Sequence, residues 1–368
     1  MMIMKPSRIL IITNTIDAGG AETFLMKVFR TIDRSRFVFD FLINKKDSTF
    51  YLDEIHALGG QVYYGESKSR NPIRSFLCIK KLVKQNDYKT VFCIAVHPIG
   101  FIDLFAAKMG GANKLLIRST NSNAGGSISN FLAELSRPFV RMLADAMFAP
   151  SKEAACWLFG QNAVENNKVV ILNNGVDTSL FTFSESRRKD AREKLGVDNT
   201  TLVIGHIGRF NRQKNHTKLI DVFCSIKSMN RNSKLVLVGE GEQINDVKNY
   251  VFEKKLTQDV IFLGIRKEIP DLLCAFDVMV FPSFYEGMPN TIIEAQAADL
   301  PCVISDTISP DVVITDKVKQ LSLATNDAMW AASAIESYTY QRKDSSLDIA
   351  KAGYSIQTTM SLLCNYFE

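Results

Sequence analysis

The chain has 368 residues, 46% of them hydrophobic and 23% charged, which is too long for one ordinary α/β domain and enough for two, each with its own core. The net charge of +5 is unevenly placed: residues 1–175 hold 22 Lys/Arg against 14 Asp/Glu, and the remainder 22 against 25. Seven cysteines stand singly, with no paired spacing suited to zinc or a redox motif, so a reducing cytoplasm is the expected compartment.

The run Ile9-Leu10-Ile11-Ile12 is far too short to span a bilayer and lacks the apolar core and cleavage site of a signal peptide. Residues 8–14 read as a first strand, followed by a loop with Gly19-Gly20 and a helix over 21–32 whose apolar residues recur every three or four places. A glycine pair suits a loop whose backbone must approach a phosphate or sugar closely, although as a bare turn it is unremarkable. Further strands are expected over 37–43, 90–96, 114–118, 146–148 and 169–172, with helices between them over 72–84 and 99–108. This alternation predicts a mostly parallel sheet with helices on both faces.

Two features of this half suggest partners. His97 ends a strand and precedes Pro98, a placement open to catalysis but also common for a structural histidine. The stretch 70–84 sets Arg74, Lys80, Lys81 and Lys84 beside Ile73, Phe76, Leu77 and Leu82. It can serve as peripheral contact with an anionic membrane, on the inner face of the plasma membrane, or simply as a solvated helix.

Turn residues Asn173-Asn174-Gly175 and a polar stretch over 184–194 place a boundary near 175. The second half, 176–350, repeats the pattern with strands over 202–207, 234–238, 260–263, 278–281 and 302–305, and helices beginning near Asn215, Glu242, Glu268 and Asn290. Residues 351–368 read as a terminal helix that can pack back on the first domain. The expected fold class is α/β, with two Rossmann-like domains whose parallel sheets face a cleft, because ligands of open parallel sheets sit beyond the carboxyl ends of the strands.

The chemistry-bearing loops fall after strands. In Gly208-Arg209-Phe210-Asn211-Arg212-Gln213-Lys214-Asn215, Arg209 and Lys214 can converge on a diphosphate with the N–H groups of the following helix, and no metal is then required. The alternative is a polar loop with solvated charges. In Glu286-Gly287-Met288-Pro289-Asn290-Thr291-Ile292-Ile293-Glu294, seven residues separate two carboxylates. Glu286 and nearby N–H groups can hold sugar hydroxyls; Glu294, on a helix expected to be buried, can hold a vicinal diol such as ribose. Each carboxylate alone also fits a structural role.

Other enzyme classes lack their signatures. The loop after the first strand has no G-x-G-x-x-G, and the chain contains neither G-x-x-x-x-G-K-[ST] nor G-x-S-x-G.

Together these residues resemble the retaining glycosyltransferases of family 4, whose E-x7-E signature Glu286 to Glu294 matches. The resemblance extends through Gly19-Gly20-Ala21-Glu22, Asn173-Asn174-Gly175-Val176-Asp177, Gly208-Arg209-Phe210, Gln213-Lys214-Asn215, Val238-Gly239-Glu240-Gly241 and Phe262-Leu263-Gly264. It covers most of the chain, nearest the EpsF-like branch of exopolysaccharide, capsule and O-antigen synthesis. It implies a GT-B fold with an acceptor-binding first domain and a donor-binding second one. It also implies transfer from a nucleotide diphosphate sugar, a UDP-sugar first, to a saccharide or lipid-linked acceptor. Neither a cofactor nor nucleic acid enters this reaction. Arg209 and Lys214 would then hold the donor diphosphate, Glu294 the ribose and Glu286 the transferred sugar, with Gly19, Gly20, Gly287, Met288 and Asn290 lining the donor and His97 touching donor sugar or acceptor. Where relatives often show His-Ser-His-Asn, this chain has Arg118-Ser119-Thr120-Asn121, so Arg118 is a candidate acceptor contact. A binding or scaffold subunit of the same fold without turnover is the alternative reading.

Overall fold

The computed structural model describes residues 5–68, 70–120, 127–286 and 288–368. The chain divides into two units: residues up to Gly175 together with Ile356–Glu368, and Val176–Ser355.

The first unit is a parallel sheet of seven strands: β1 (Ser7–Ile12), β2 (Phe37–Ile43), β3 (Val62–Tyr64), β4 (Thr90–Ala95), β5 (Lys114–Ser119), β6 (Ala146–Ala149) and β7 (Val169–Ile171). Their order is β3-β2-β1-β4-β5-β6-β7. In β1, Ile9 and Ile11 join one hydrophobic cluster while Leu10 and Ile12 join another. Side chains alternate across a strand, so both sheet faces are buried, and this is why the strand reads as one unbroken apolar run.

The second unit is a parallel sheet of six strands: β8 (Leu202–Ile207), β9 (Ser233–Val238), β10 (Val260–Gly264), β11 (Val278–Phe281), β12 (Cys302–Ser305) and β13 (Val318–Leu321). Their order is β10-β9-β8-β11-β12-β13. The same alternation recurs, with Val236 and Val238 on one side of β9 and Leu235 and Leu237 on the other.

Three expectations change. The terminal stretch breaks into helices Ser346–Lys351 and Ile356–Phe367. The first stays with the second unit, where Val176 N–H donates to Tyr354 O at 2.7 Å and Val176 bridges Ser355. The second packs Ile356, Met360, Leu363 and Phe367 into a cluster with Phe37, Phe39 and Phe92 of the first unit. The changeover therefore falls at residue 355, not 350.

The polar stretch expected to mark the boundary is instead the helix Glu185–Leu195, capped by Ser184 and closed by Gly196 at φ 69. Its arginines are consumed internally: Arg188 and Arg192 both reach the buried carboxylate of Asp277. The short edge strands β3 and β13 were not expected, since three or four mixed residues carry too little periodicity to register.

Candidate functional site

In each sheet the strand order reverses at one place, between β1 and β4 in the first and between β8 and β11 in the second. Loops on the two sides of such a switch point diverge and leave a crevice at the carboxyl ends of the strands. The predicted residues fall there: Gly19-Gly20 follow β1, His97 follows β4, Arg209 and Lys214 follow β8, and Glu286 follows β11.

In the second unit these loops are stitched into one surface. Gly208 N–H donates to Val238 O at 2.9 Å, Phe210 N–H to Glu240 O at 2.9 Å, and Gly239 N–H to Gly264 O at 2.9 Å. Gly239, at φ +133, brings its Cα so near that a Cβ would lie 2.1 Å from Gly208 O. Only glycine fits this contact. Across the switch point, Phe284 N–H donates to Gln213 O at 2.9 Å, and the amides of Gln213 and Asn215 donate to Tyr285 O and Pro282 O.

The stitching brings two distant residues together. Lys214 Nζ donates to Glu286 Oε1 at 2.6 Å, with the two side chains only 14% and 11% exposed. The ammonium also lies 4.5 Å from the centroid of the Phe281 ring. Read from the sequence, these residues have separate tasks, diphosphate and sugar; the fold makes them one charge-neutral pair. Arg209, in the same loop as Lys214, is exposed, and among the described residues its guanidinium has no partner. Asn290 opens the helix Asn290–Ala297, and Met288 accepts from Tyr354 Oη at 3.3 Å through its sulfur. Glu294 is buried on that helix but is not a lone carboxylate, so burial by itself does not single it out for a ligand. Gly287 lies outside the described residues.

The first unit presents Gly20 as the first residue of the helix Gly20–Thr31, with no side-chain cap on its N-terminus. A Cβ on Gly19 would meet Glu22 Oε2 at 2.3 Å, and Glu22 in turn accepts from Thr15 Oγ1 at 2.9 Å. His97 is the cap of the short turn Pro98–Gly100: its Nδ1 accepts from Ile99 N–H at 3.1 Å. A neutral ring holding that bond carries its proton on Nε2. It is therefore disposed as a hydrogen-bond donor rather than as a base. Arg118, the candidate acceptor contact, does not face solvent. It is buried, stacks 3.9 Å from the Phe24 ring centroid, and donates to Asn174 and Leu172 O, with desolvation pushing its pKa down to about 9.

Nothing in the sequence singles out His206 and His216, yet both are buried at the Lys214 loop. Their rings stand 5.0 Å apart, His216 stacks 4.2 Å from Phe210, and His206 Nδ1 contacts Val280 O at 2.9 Å. Among the described residues the remaining ring nitrogens have no hydrogen-bond partner. A Cβ on Gly208 would sit 3.2 Å from His206 Nε2 and 3.1 Å from Lys214 Cε, so the glycine leaves room for the lysine to cross. The available signal was position: the two histidines bracket the Arg209–Lys214 loop in sequence.

Burial, with the nearby Lys214 charge second, lowers His216 to about 4; burial and then His216 hold His206 well below the usual range. Both rings fold neutral, whereas the unfolded chain protonates them below about pH 6.5. The unfolded state then binds more protons, so stability is lost as the pH falls. Thermal unfolding is expected to show a loss of about 2 kcal/mol for His216 between about pH 7 and 5, at 1.36 kcal/mol per pH unit. His216→Phe should flatten that slope, and equal slopes in the two proteins would contradict the assignment.

Two parallel α/β units with an anion-ready, lysine-glutamate loop pair at a switch point describe a GT-B glycosyltransferase. The comparisons agree. Residues 187–355 match the family model described as glycosyl transferases group 1. The putative glycosyltransferase EpsF of Bacillus subtilis is 32% identical over 375 residues, covering 100% of this chain and 97% of its own. The chain belongs to the group 1 glycosyltransferase family. UDP-Gal:alpha-D-GlcNAc-diphosphoundecaprenol alpha-1,3-galactosyltransferase of Escherichia coli is 34% identical over 45% of this chain and 43% of its own. Among solved structures, Anabaena HepE in complex with UDP and glucose superposes with a TM-score of 0.78, covering 98% of each chain at 18% identity. At that identity the likeness concerns the fold.

Proposed function

We propose that this glycosyltransferase takes a sugar from a UDP-sugar, with retention of anomeric configuration, and places it on a lipid-linked saccharide in surface-polysaccharide synthesis. The observation that carries the reading is the Lys214–Glu286 pair at the switch point of the second unit, with Arg209, exposed and without a partner among the described residues, in the same loop as Lys214. As the bond from the sugar C1 to phosphate breaks, the diphosphate gains charge; Arg209 and Lys214 neutralise it, and Lys214 has donors to spare beyond the one held by Glu286. The acceptor hydroxyl oxygen bonds to C1 on the same face, and its proton passes to the departing phosphate oxygen. Glu286 orients sugar hydroxyls, Glu294 holds the ribose, and His97, with its proton on Nε2, donates to a sugar or acceptor oxygen. Two cations fill the place that a metal would take.

The UDP carrier is supported by the names of the Escherichia coli relative and of the HepE complex, and the lipid-diphosphate acceptor by the former together with the excess of basic residues before Gly175. The test is transfer from UDP-sugars to an undecaprenyl-diphosphate saccharide in excess EDTA, with the anomer read by NMR. An α-linked product from an α-donor, formed at the same rate with and without EDTA, is expected. An inverted product, or abolition by EDTA, overturns the mechanism; donor binding without any turnover indicates a scaffold.

A further inference from the structure

We infer that the outer face of three consecutive helices of the first unit, Pro72–Asn86, Phe101–Gly110 and Ser127–Leu143, is a seat on an anionic phospholipid bilayer. The helix Pro72–Asn86 turns Ser75, Ile79 and Val83 to the core, yet Ile73 and Leu77 stand 71% and 55% exposed. The helix Ser127–Leu143 does the same on a larger scale. Ala133, Val140 and Leu143 point inward, while Phe131, Leu132, Leu135 and Met142, at spacings that share one helical face, are exposed, Met142 by 71%. Phe105 and Met109 continue the surface on the helix between them.

The three helices form one surface rather than separate stripes. Phe76 packs on Phe105 at 5.6 Å and Phe101 stacks on Phe139 at 5.2 Å, joining each helix to the next. An apolar face of this extent on the outside of a folded unit marks an interaction site.

Charge selects the occupant. The three helices hold seven Lys/Arg and two Asp/Glu, an excess equal to that of the whole chain. Of the two acids, Asp103 is buried against Lys68 and Glu134 is paired with Arg137. Arg74, Lys81, Lys84, Lys108 and Arg141 remain exposed among the apolar residues. A second copy docked through the same face would oppose like charges, whereas anionic headgroups neutralise the cations while the acyl region takes the aromatic and aliphatic side chains. Among the described residues no helix is long and apolar enough to cross a membrane, so the contact is one of surface seating.

The seat adjoins the edge that carries His97: the turn Pro98–Gly100 leads straight into the helix Phe101–Gly110, and the helix Ser127–Leu143 packs on that turn. A lipid-linked acceptor would be met where its headgroup leaves the bilayer; this last point rests on the function proposed above, the seat itself does not.

The test is co-sedimentation of the full chain with vesicles of phosphatidylglycerol and phosphatidylcholine, or of phosphatidylcholine alone. Wild type should partition to the anionic vesicles at least about tenfold better than to the neutral ones, and less at high salt. Phe131→Ser/Leu135→Ser/Met142→Ser should lose at least about tenfold in partitioning with an unchanged melting temperature. Lys81→Glu/Lys84→Glu, which leaves the apolar face intact, should lose the anionic preference. Wild type that stays in the supernatant, or folded variants that sediment like wild type, overturn the inference. So does a concentration-dependent dimer that the triple variant dissolves in the absence of vesicle binding. A chain that sediments but does not bind UDP refutes the transferase reading alone.

Discussion

Lys214→Ala is expected to lower kcat/KM for sugar transfer by about 100- to 1000-fold, the scale of removing one preorganised charge from a developing anion. Two effects combine. The donor diphosphate loses a cation whose side chain is only 14% exposed, held against Phe281 and paired with Glu286. Glu286 is then left as an uncompensated carboxylate beside a phosphate group, which repels rather than orients. Lys214→Arg should recover part of the loss in donor binding but less of the rate, because a planar fork cannot occupy the slot that Gly208 opens for a slender lysine stem. Steady-state kinetics on both variants decides the matter, and a Lys214→Ala enzyme within about threefold of wild type would remove Lys214 from the reaction.

Asp277→Ala is expected to cost about 3–5 kcal/mol of stability, the range for stripping the partner from a buried ion pair. The carboxylate accepts from Arg188 Nη2 at 2.5 Å, Arg192 Nη1 at 3.2 Å and Val203 N–H at 2.7 Å. Arg192 is 1% exposed and would keep its backbone acceptors, Ala275 O at 2.9 Å and Asp198 O at 2.6 Å, but not a counter-charge. Asp277 thus ties the helix Glu185–Leu195 to the start of β8, at the end of the sheet opposite to the Arg209 loop. Denaturant unfolding should show the loss, with Asp277→Asn intermediate and donor affinity unchanged in whatever fraction remains folded. A penalty under about 1 kcal/mol would mean that the pair is solvated in solution.

The contrast between these two sites shows what the sequence could disclose. Strands such as Phe37–Ile43 and Cys302–Ser305 are buried on both faces, and their apolar runs announce their bounds directly. Arg209, Lys214 and Glu286 were legible as loop residues after strands. Their pairing was not, because 72 residues separate Lys214 from Glu286 and only the strand order β8-β11 makes them neighbours. Burial of polar groups was the larger blind spot. Residues 184–194 read only as a polar stretch, because Asp277, the buried partner of Arg192, lies 85 residues away in sequence. Arg118 looked available for an acceptor and lies instead in the core. Composition gives a side chain's preference; which face it meets is decided by its neighbours in the sheet.

Whether the loops after β8 and β11 hold a nucleoside diphosphate is decided by titrating UDP into the protein in EDTA by calorimetry, beside Lys214→Ala. Saturable binding by wild type is expected, stronger for UDP than for ADP, and at least about tenfold weaker in the variant, the worth of one charge-assisted contact. Equal affinities in the two proteins, or no binding of any nucleoside diphosphate by wild type, would contradict it.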